Sequence, residues 1–239
     1  MKLIEGPARS PFFFAAIALR LNDWVEPVRK AAQACAERVF PATDARIVAQ
    51  AAVFLLEQRH LWGRWTAVDS EALDAAMKRS EVADALVASL IAEQSGRMAG
   101  LLRSMLIGSA FDDRLEEVGR NAFLPAVRGV ALQAMISGVA RWPSHREKRW
   151  IDKSMGRYRL DWVYARRSIE SGMTREAAVA RAATDRSAAV RRLAVIALLT
   201  DEEPLGNFDE IARLLRDDPN TALRERTAFA IDRRRSTVT

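Results

Sequence analysis

The chain has 239 residues, of which 49% are hydrophobic and 28% are charged, and its formal net charge is +6. A single cysteine, Cys35, excludes a disulfide framework and fits a reducing compartment, so we expect a cytoplasmic protein. No apolar segment approaches the ~20 residues that a membrane span needs, and the apolar run Phe12–Leu19 is not followed by a cleavage site. Neither a membrane partner nor a signal peptide is therefore predicted.

Helical periodicity begins near the N-terminus. Pro11 starts the first predicted helix, whose inward-facing side chains are Phe12, Phe13, Phe14, Ile17 and Leu21. Glu26-Pro27 opens the second helix, which ends at Phe40, and Thr43 or Asp44 caps the third. The pattern then breaks at Trp62 and Trp65, which are three residues apart and are interpreted as packing residues.

The rest of the chain also follows helical spacing. Few β-branched runs alternate with polar residues, so strands are not indicated and the fold class is predicted to be all-α. The remaining helical segments are predicted at residues 69–94, 97–107, 124–139, 174–184, 187–199, 207–216 and 220–235.

A short motif recurs along this chain. An Asp in a turn is followed six residues later by an Arg in a helix, in the pairs Asp23 and Arg29, Asp185 and Arg191, and Asp218 and Arg224. A fourth copy contains Arg128, but position 122 is Ala. The Asp is predicted to cap the helix that follows. Small residues three and six positions after each Arg would let a neighbouring helix approach closely; they are Ala32, Cys35, Ala131, Ala134, Ala194, Ala197, Thr227 and Ala230.

The spacing of the copies indicates a repeat. The motif arginines are Arg29, Arg128, Arg191 and Arg224. The intervals between successive arginines are 99, 63 and 33 residues, which are near multiples of 33. The motif resembles the HEAT repeat family and its armadillo-like relatives, over roughly residues 11–40 and 115–235, although the usual HEAT period is about 40–47 residues.

The resemblance implies a fold and a set of structural residues. The fold is a right-handed superhelical stack of antiparallel helix pairs, forming one domain over residues 1–239. The resemblance also implies a ladder of ion pairs between successive copies, with a structural role for Asp23, Arg29, Asp185, Arg191, Asp218 and Arg224. For function, it implies a scaffold or adaptor that binds another protein along a concave surface.

A basic and aromatic segment supports a different hypothesis. Between Arg141 and Arg192 there are fourteen Lys and Arg against six Asp and Glu, a balance of +8. Clustered cations neutralise phosphates and aromatic rings stack on bases, so nucleic acid is the alternative partner. An ordinary solvated surface is the competing interpretation. The candidate binding residues are Arg141, Trp142, Arg146, Lys148, Arg149, Trp150, Arg159 and Arg166.

Signs of catalysis are weak. His60 and His145 are far apart and have no nearby Cys, so no metal site is predicted, and the scattered glycines form no phosphate-binding loop. In length and in its Trp and basic residues the chain resembles the alkylpurine DNA glycosylases built from HEAT-like repeats, which suggests Asp152 or Asp161. Their motif does not match residue by residue, so no catalytic residue or cofactor is assigned, and an enzyme stays the less favoured alternative. A bilin lyase, known for some HEAT-like proteins, is a weaker alternative.

Overall fold

The computed structural model describes residues 6–58, 67–200 and 205–238. These residues are mostly helical, with one two-stranded antiparallel sheet. His60, Trp62 and Trp65 lie outside them. The helices are α1 (Pro11–Arg20), α2 (Glu26–Val39), α3 (Ala45–Gln58), α4 (Ala67–Met77), α5 (Ser80–Ala92), α6 (Met98–Met105), α7 (Leu115–Asn121), α8 (Pro125–Ser137), α9 (Arg175–Ala183), α10 (Ala188–Leu199), α11 (Phe208–Arg216) and α12 (Thr221–Val238), and a 3-10 turn covers Asp112–Arg114.

The contacts cluster in two compact units, residues 1–90 and 91–239, whereas the sequence predicts one continuous domain. Within the described ranges, no helix has both the length and the apolar character that a membrane crossing requires.

The first unit shows how α1 is built and where its prediction fails. Ser10 caps the helix by accepting a hydrogen bond from the backbone N–H of Phe13, at 3.3 Å. Phe14 is buried and stacks on Phe40, with 4.1 Å between ring centroids. Phe12 and Phe13, however, are 75% and 56% exposed. The prediction that both face inward is wrong, because three consecutive residues of a helix cannot share its buried face.

In the second unit, helices that follow one another pack as neighbours. α7 contacts α8, α9 contacts α10, and α11 contacts α12, while α8 also contacts α9 and α10, and α10 also contacts α11 and α12. The small residues predicted for close helix approach are buried in both units: Ala32, Cys35, Ala131, Ala134, Ala194, Ala197, Thr227 and Ala230. This part of the prediction is confirmed.

The motif aspartates lie in the turn before the helix. The Oδ1 atom of each accepts a hydrogen bond from the backbone N–H two residues later, and the helix begins after that residue. These bonds join Val25 to Asp23 at 3.0 Å, Ser187 to Asp185 at 2.8 Å, and Asn220 to Asp218 at 2.8 Å. The prediction that the aspartates cap the helices is therefore wrong, and they instead fix the turn that leads into each helix.

The prediction that the chain contains no strands is also wrong. Strand β1 (Val139–Asp152) follows α8, whose C-terminal cap, Gly138, has the left-handed conformation. It pairs with strand β2 (Arg157–Ser168) in an antiparallel hairpin, with register shifts at residues 144 and 151. In the turn, Asp152 accepts hydrogen bonds from the backbone N–H and the hydroxyl of Ser154, at 2.9 and 2.6 Å. Gly156 has a φ of +65°, which other residues rarely adopt.

Candidate functional site

The two faces of the hairpin differ in charge. Residues paired across an antiparallel ladder share a face, and neighbours along a strand alternate between faces. Beyond the first pair, Val139 and Ser168, one face contains four cations, four aromatic rings, a proline and a leucine, and no carboxylate among the residues that the strand register pairs. We call it the aromatic–basic face; its residues are Arg141, Pro143, Arg146, Lys148, Trp150, Tyr158, Leu160, Trp162, Tyr164 and Arg166.

Cations and rings contact one another on this face. The Arg146 guanidinium carbon lies 4.5 Å from the centroid of the Trp162 ring, and the Lys148 ammonium lies 4.6 Å from that of Tyr158. Trp150 meets Tyr158 edge to face, with centroids 5.6 Å apart. Such contacts orient the long side chains without neutralising their charge. All five of these residues are exposed, so both charge and ring surface remain available to a ligand.

The opposite face carries the carboxylates of the hairpin. Asp161 lies 2.9 Å from Arg159 and 3.7 Å from Arg149. Glu147 lies 3.0 Å from His145. The local positive charge is therefore partly offset here.

The predicted binding residues are thus divided between the two faces. Arg141, Arg146, Lys148, Trp150 and Arg166 lie on the aromatic–basic face, whereas Trp142, Arg149 and Arg159 lie on the other. Sequence reasoning left Tyr158, Trp162 and Tyr164 out of the candidate set. The alternation of these residues and Leu160 with charged or small residues is a strand signal that could have identified them.

Arg167 attaches the base of the hairpin to the helical part of the unit. Its guanidinium makes two hydrogen bonds to the Asp112 carboxylate, at 2.8 and 2.6 Å, and a third to the Leu106 carbonyl oxygen, at 2.9 Å. The hydrogen bonds that Arg167 donates to the Asp112 carboxylate raise the pKa of Arg167. The Gly108 carbonyl oxygen also accepts from this planar group, so the contacts restrain the direction in which the hairpin leaves α8.

The motif arginines share one backbone contact. In all four copies the guanidinium donates to the carbonyl oxygen six residues earlier, at 2.9 Å from Arg29 to Asp23, 2.8 Å from Arg128 to Ala122, 2.9 Å from Arg191 to Asp185, and 2.7 Å from Arg224 to Asp218. This contact uses only the main chain of the earlier residue, which explains why the copy with Ala122 keeps its arginine.

Two of these arginines also reach the Asp of the following copy. Arg128 holds Asp185 with hydrogen bonds of 2.7 and 2.8 Å, and Arg191 holds Asp218 with bonds of 2.6 and 2.9 Å. The ladder of contacts therefore starts at Arg128, which the resemblance did not include.

The first copy of the motif lies outside this ladder. Asp23 pairs with Arg20, at 2.8 Å, and Arg29 donates to the carbonyl oxygens of Asp23 and Trp24. The implied pairing between successive copies is thus seen in the second unit, and the contacts of Asp23 and Arg29 are local.

The ion pairs of Asp185 and Asp218 make the free energy of unfolding depend on pH. Burial raises the pKa of Asp185, but hydrogen bonds from Arg128 and the Ser187 amide lower it more, so it lies below its ordinary value of 3.8. The hydrogen bond from Arg191 lowers the pKa of Asp218. Since the folded pKa values lie below the unfolded value of about 3.9, the stabilisation is complete above that value. It is lost as the pH falls through the folded values.

We therefore expect the free energy of unfolding to drop below about pH 4. In Asp185→Asn, which is already neutral at this position, the drop should be smaller. Denaturant titrations from neutral to acidic pH measure it, and identical pH profiles for the two proteins would contradict the assignment.

The residues considered for catalysis have other contacts. Asp152 accepts hydrogen bonds within the hairpin turn, and Asp161 pairs with Arg159. His145 lies 3.3 Å from the Ser144 hydroxyl and 3.0 Å from Glu147, but these three neighbours are exposed on the hairpin. Among the described residues, no group of three or more His, Cys, Asp or Glu side chains is placed to hold a metal ion.

Comparison of the chain with protein-family models, curated proteins and solved structures finds no match.

Proposed function

We propose that this protein binds nucleic acid through the aromatic–basic face of its hairpin. The observation that carries the proposal is that the carboxylates of the paired strands all lie on one face, which leaves the positive charge of the other face without local compensation. Four cations and four aromatic rings share one exposed face, while Glu147, Asp152 and Asp161 lie on the other.

The chemistry of the face suits both parts of a nucleotide. Arg and Lys neutralise backbone phosphates and release counterions, which supplies affinity independently of sequence. Exposed rings stack on bases, and this is worth about 1–3 kcal/mol per base. A two-stranded ribbon is also narrow enough to enter the major groove of duplex DNA. We therefore expect binding with little sequence specificity and an affinity that depends strongly on the salt concentration.

We further propose that the helices of the second unit stack as HEAT-like repeats in a right-handed superhelix, with α7–α8, α9–α10 and α11–α12 as the antiparallel pairs. The proposal is supported by the contacts between successive pairs and by the ion pairs from Arg128 to Asp185 and from Arg191 to Asp218. In this arrangement the hairpin is an insertion between the first two pairs.

A protein-binding scaffold is the second candidate function. It is favoured by large apolar side chains left exposed in the first unit, where Phe12 and Trp24 are 75% and 77% exposed. Apolar side chains of this size are enriched at protein interfaces. This candidate predicts that Phe12→Ser together with Trp24→Ser reduces the capture of a protein partner in a pull-down, whereas the nucleic-acid proposal predicts no effect of these changes on oligonucleotide binding.

The nucleic-acid proposal is tested by fluorescence anisotropy. Labelled single-stranded and duplex DNA and RNA are titrated with the purified protein at low and at physiological salt. We expect binding that weakens steeply with salt but persists at about 0.15 M. If binding is absent at both salt concentrations, the proposal fails and the scaffold becomes the leading candidate.

A further inference from the structure

A cavity lies at the base of the aromatic–basic face, between the hairpin and helices α6 and α8. Its volume is about 510 Å³, within the range of about 300–1,000 Å³ that small-molecule sites occupy. Part of its wall is apolar and built from core residues, since Leu106, Val130, Ala134 and Ala140 are all buried. Its size and apolar wall would accommodate a planar group such as a nucleobase.

The polar groups of the cavity converge from three elements. Arg103 comes from α6, Gln133 and Ser137 come from α8, and Arg141 and Tyr164 come from the hairpin. No Asp or Glu is among its described lining residues. In contrast, a cavity of about 650 Å³ in the first unit is lined by Glu37 and Glu71 as well as by Arg79. Of these two cavities, the one beside the hairpin is therefore the better suited to an anionic ligand.

The cavity and the aromatic–basic face are continuous, because Arg141, Pro143 and Tyr164 belong to both. We propose that the cavity binds one unpaired nucleotide of a nucleic acid held on that face. The proposal rests on the function proposed above and names the part of the ligand that the site selects.

Each part of a nucleotide has a suitable group in the cavity. Two guanidinium groups, of Arg103 and Arg141, can pair with the phosphate, and the Tyr164 ring can stack on the base. The Gln133 amide has both donors and an acceptor, so it can pair with polar edges of a base. A base-paired nucleotide would first have to leave its stack, which costs a few kcal/mol. Strands with unpaired nucleotides should therefore bind better than blunt duplexes.

The inference is tested with mononucleotides, which are too small to span the hairpin. Saturation-transfer NMR is recorded on the full-length protein with adenosine and uridine 5′-monophosphates at millimolar concentration, and inorganic phosphate is added as a competitor. We expect saturation transfer from the protein to the base protons of the nucleotide. An equal concentration of inorganic phosphate should reduce this signal only in part. No transfer, or complete removal by phosphate, would overturn the inference, the latter because it would indicate a simple anion site.

Three variants locate the binding. Arg103→Glu reverses a cation, and Gln133→Trp fills the cavity from an exposed helix position. Each should weaken mononucleotide binding at least tenfold. The matched control Arg213→Glu changes an exposed arginine of α11, which packs on α9, α10 and α12, and it should bind like the wild type. Loss in the control, or unchanged binding in both cavity variants with normal melting temperatures, would refute the site.

The two proposals fail in different ways. Binding of oligonucleotides without binding of mononucleotides would remove the cavity and leave the hairpin face in place. Binding of mononucleotides without binding of any oligonucleotide would establish the cavity and remove the proposed function. A blunt duplex that binds as tightly as the same duplex with an unpaired overhang would contradict the preference for unpaired nucleotides.

Discussion

Replacing Arg128 with alanine is expected to lower the free energy of unfolding by about 3–5 kcal/mol. The side chains of Arg128 and Asp185 are only 2% and 1% exposed. Removal of the arginine leaves the buried Asp185 carboxylate with the more distant Arg181, at 3.9 Å, as its cationic neighbour. It also deprives the Ala122 carbonyl oxygen of its guanidinium donor and the Phe123 carbonyl oxygen of one of its two. Chemical denaturation of the wild type and the variant measures the difference.

Three further variants separate the ion pair from a general effect of losing an arginine. Arg192 is an exposed residue of α10, so Arg192→Ala should change stability by less than about 0.5 kcal/mol. Arg191 is 12% exposed, and Arg191→Ala should have an intermediate effect, about 1–3 kcal/mol. Asp185→Asn should cost much less in the Arg128→Ala background than in the wild type. Equal effects of Arg128→Ala and Arg192→Ala would contradict the assignment.

The helical framework could be predicted because its signals are local. Proline at the helix starts, small residues three and six positions after each motif arginine, and the regular apolar spacing all depend on residues within a few turns of one another. Long-range pairing was harder to assign. The partner of Arg128 lies 57 residues later in the chain. The ladder implied by the resemblance does not include Arg128, because its copy of the motif has Ala at position 122. Because Arg128 contacts position 122 only through the backbone carbonyl oxygen, the absence of an Asp at this position does not remove the contact.

The hairpin could not be recognised from composition. Both of its faces are charged, and β1 lacks the alternation of apolar and polar residues that identifies a half-buried strand, whereas β2 shows it only in part, from Tyr158 to Trp162. Its anchor, the pair of Arg167 and Asp112, joins residues 55 positions apart. The excess of Lys and Arg in this segment is visible in the sequence alone. Its division into two faces depends on the strand register, and a pairing shifted by one residue would have placed Asp161 on the same face as Arg146 and Lys148.

Neutralising the aromatic–basic face is expected to weaken nucleic-acid binding about fifty-fold at about 0.15 M salt. The variant is Arg146→Gln, Lys148→Gln and Arg166→Gln. If each cation neutralises one phosphate of a single strand, each contributes about fourfold at this salt concentration. Without these three contacts, the slope of log affinity against log salt should become shallower by about 2. Anisotropy titrations at four or more salt concentrations, on the order of 0.05–0.3 M, measure both quantities.

A matched variant distinguishes the face from the net charge of the protein. Arg149→Gln, Arg157→Gln and Arg159→Gln remove the same number of charges from the opposite face of the same hairpin. If long-range attraction to a basic protein were the cause of binding, both variants would lose affinity equally. If the aromatic–basic face makes the contacts, the second variant keeps most of its affinity and its salt slope, because Arg149 and Arg159 already lie beside Asp161. Equal losses would therefore remove the face as the binding surface, even though the protein binds nucleic acid.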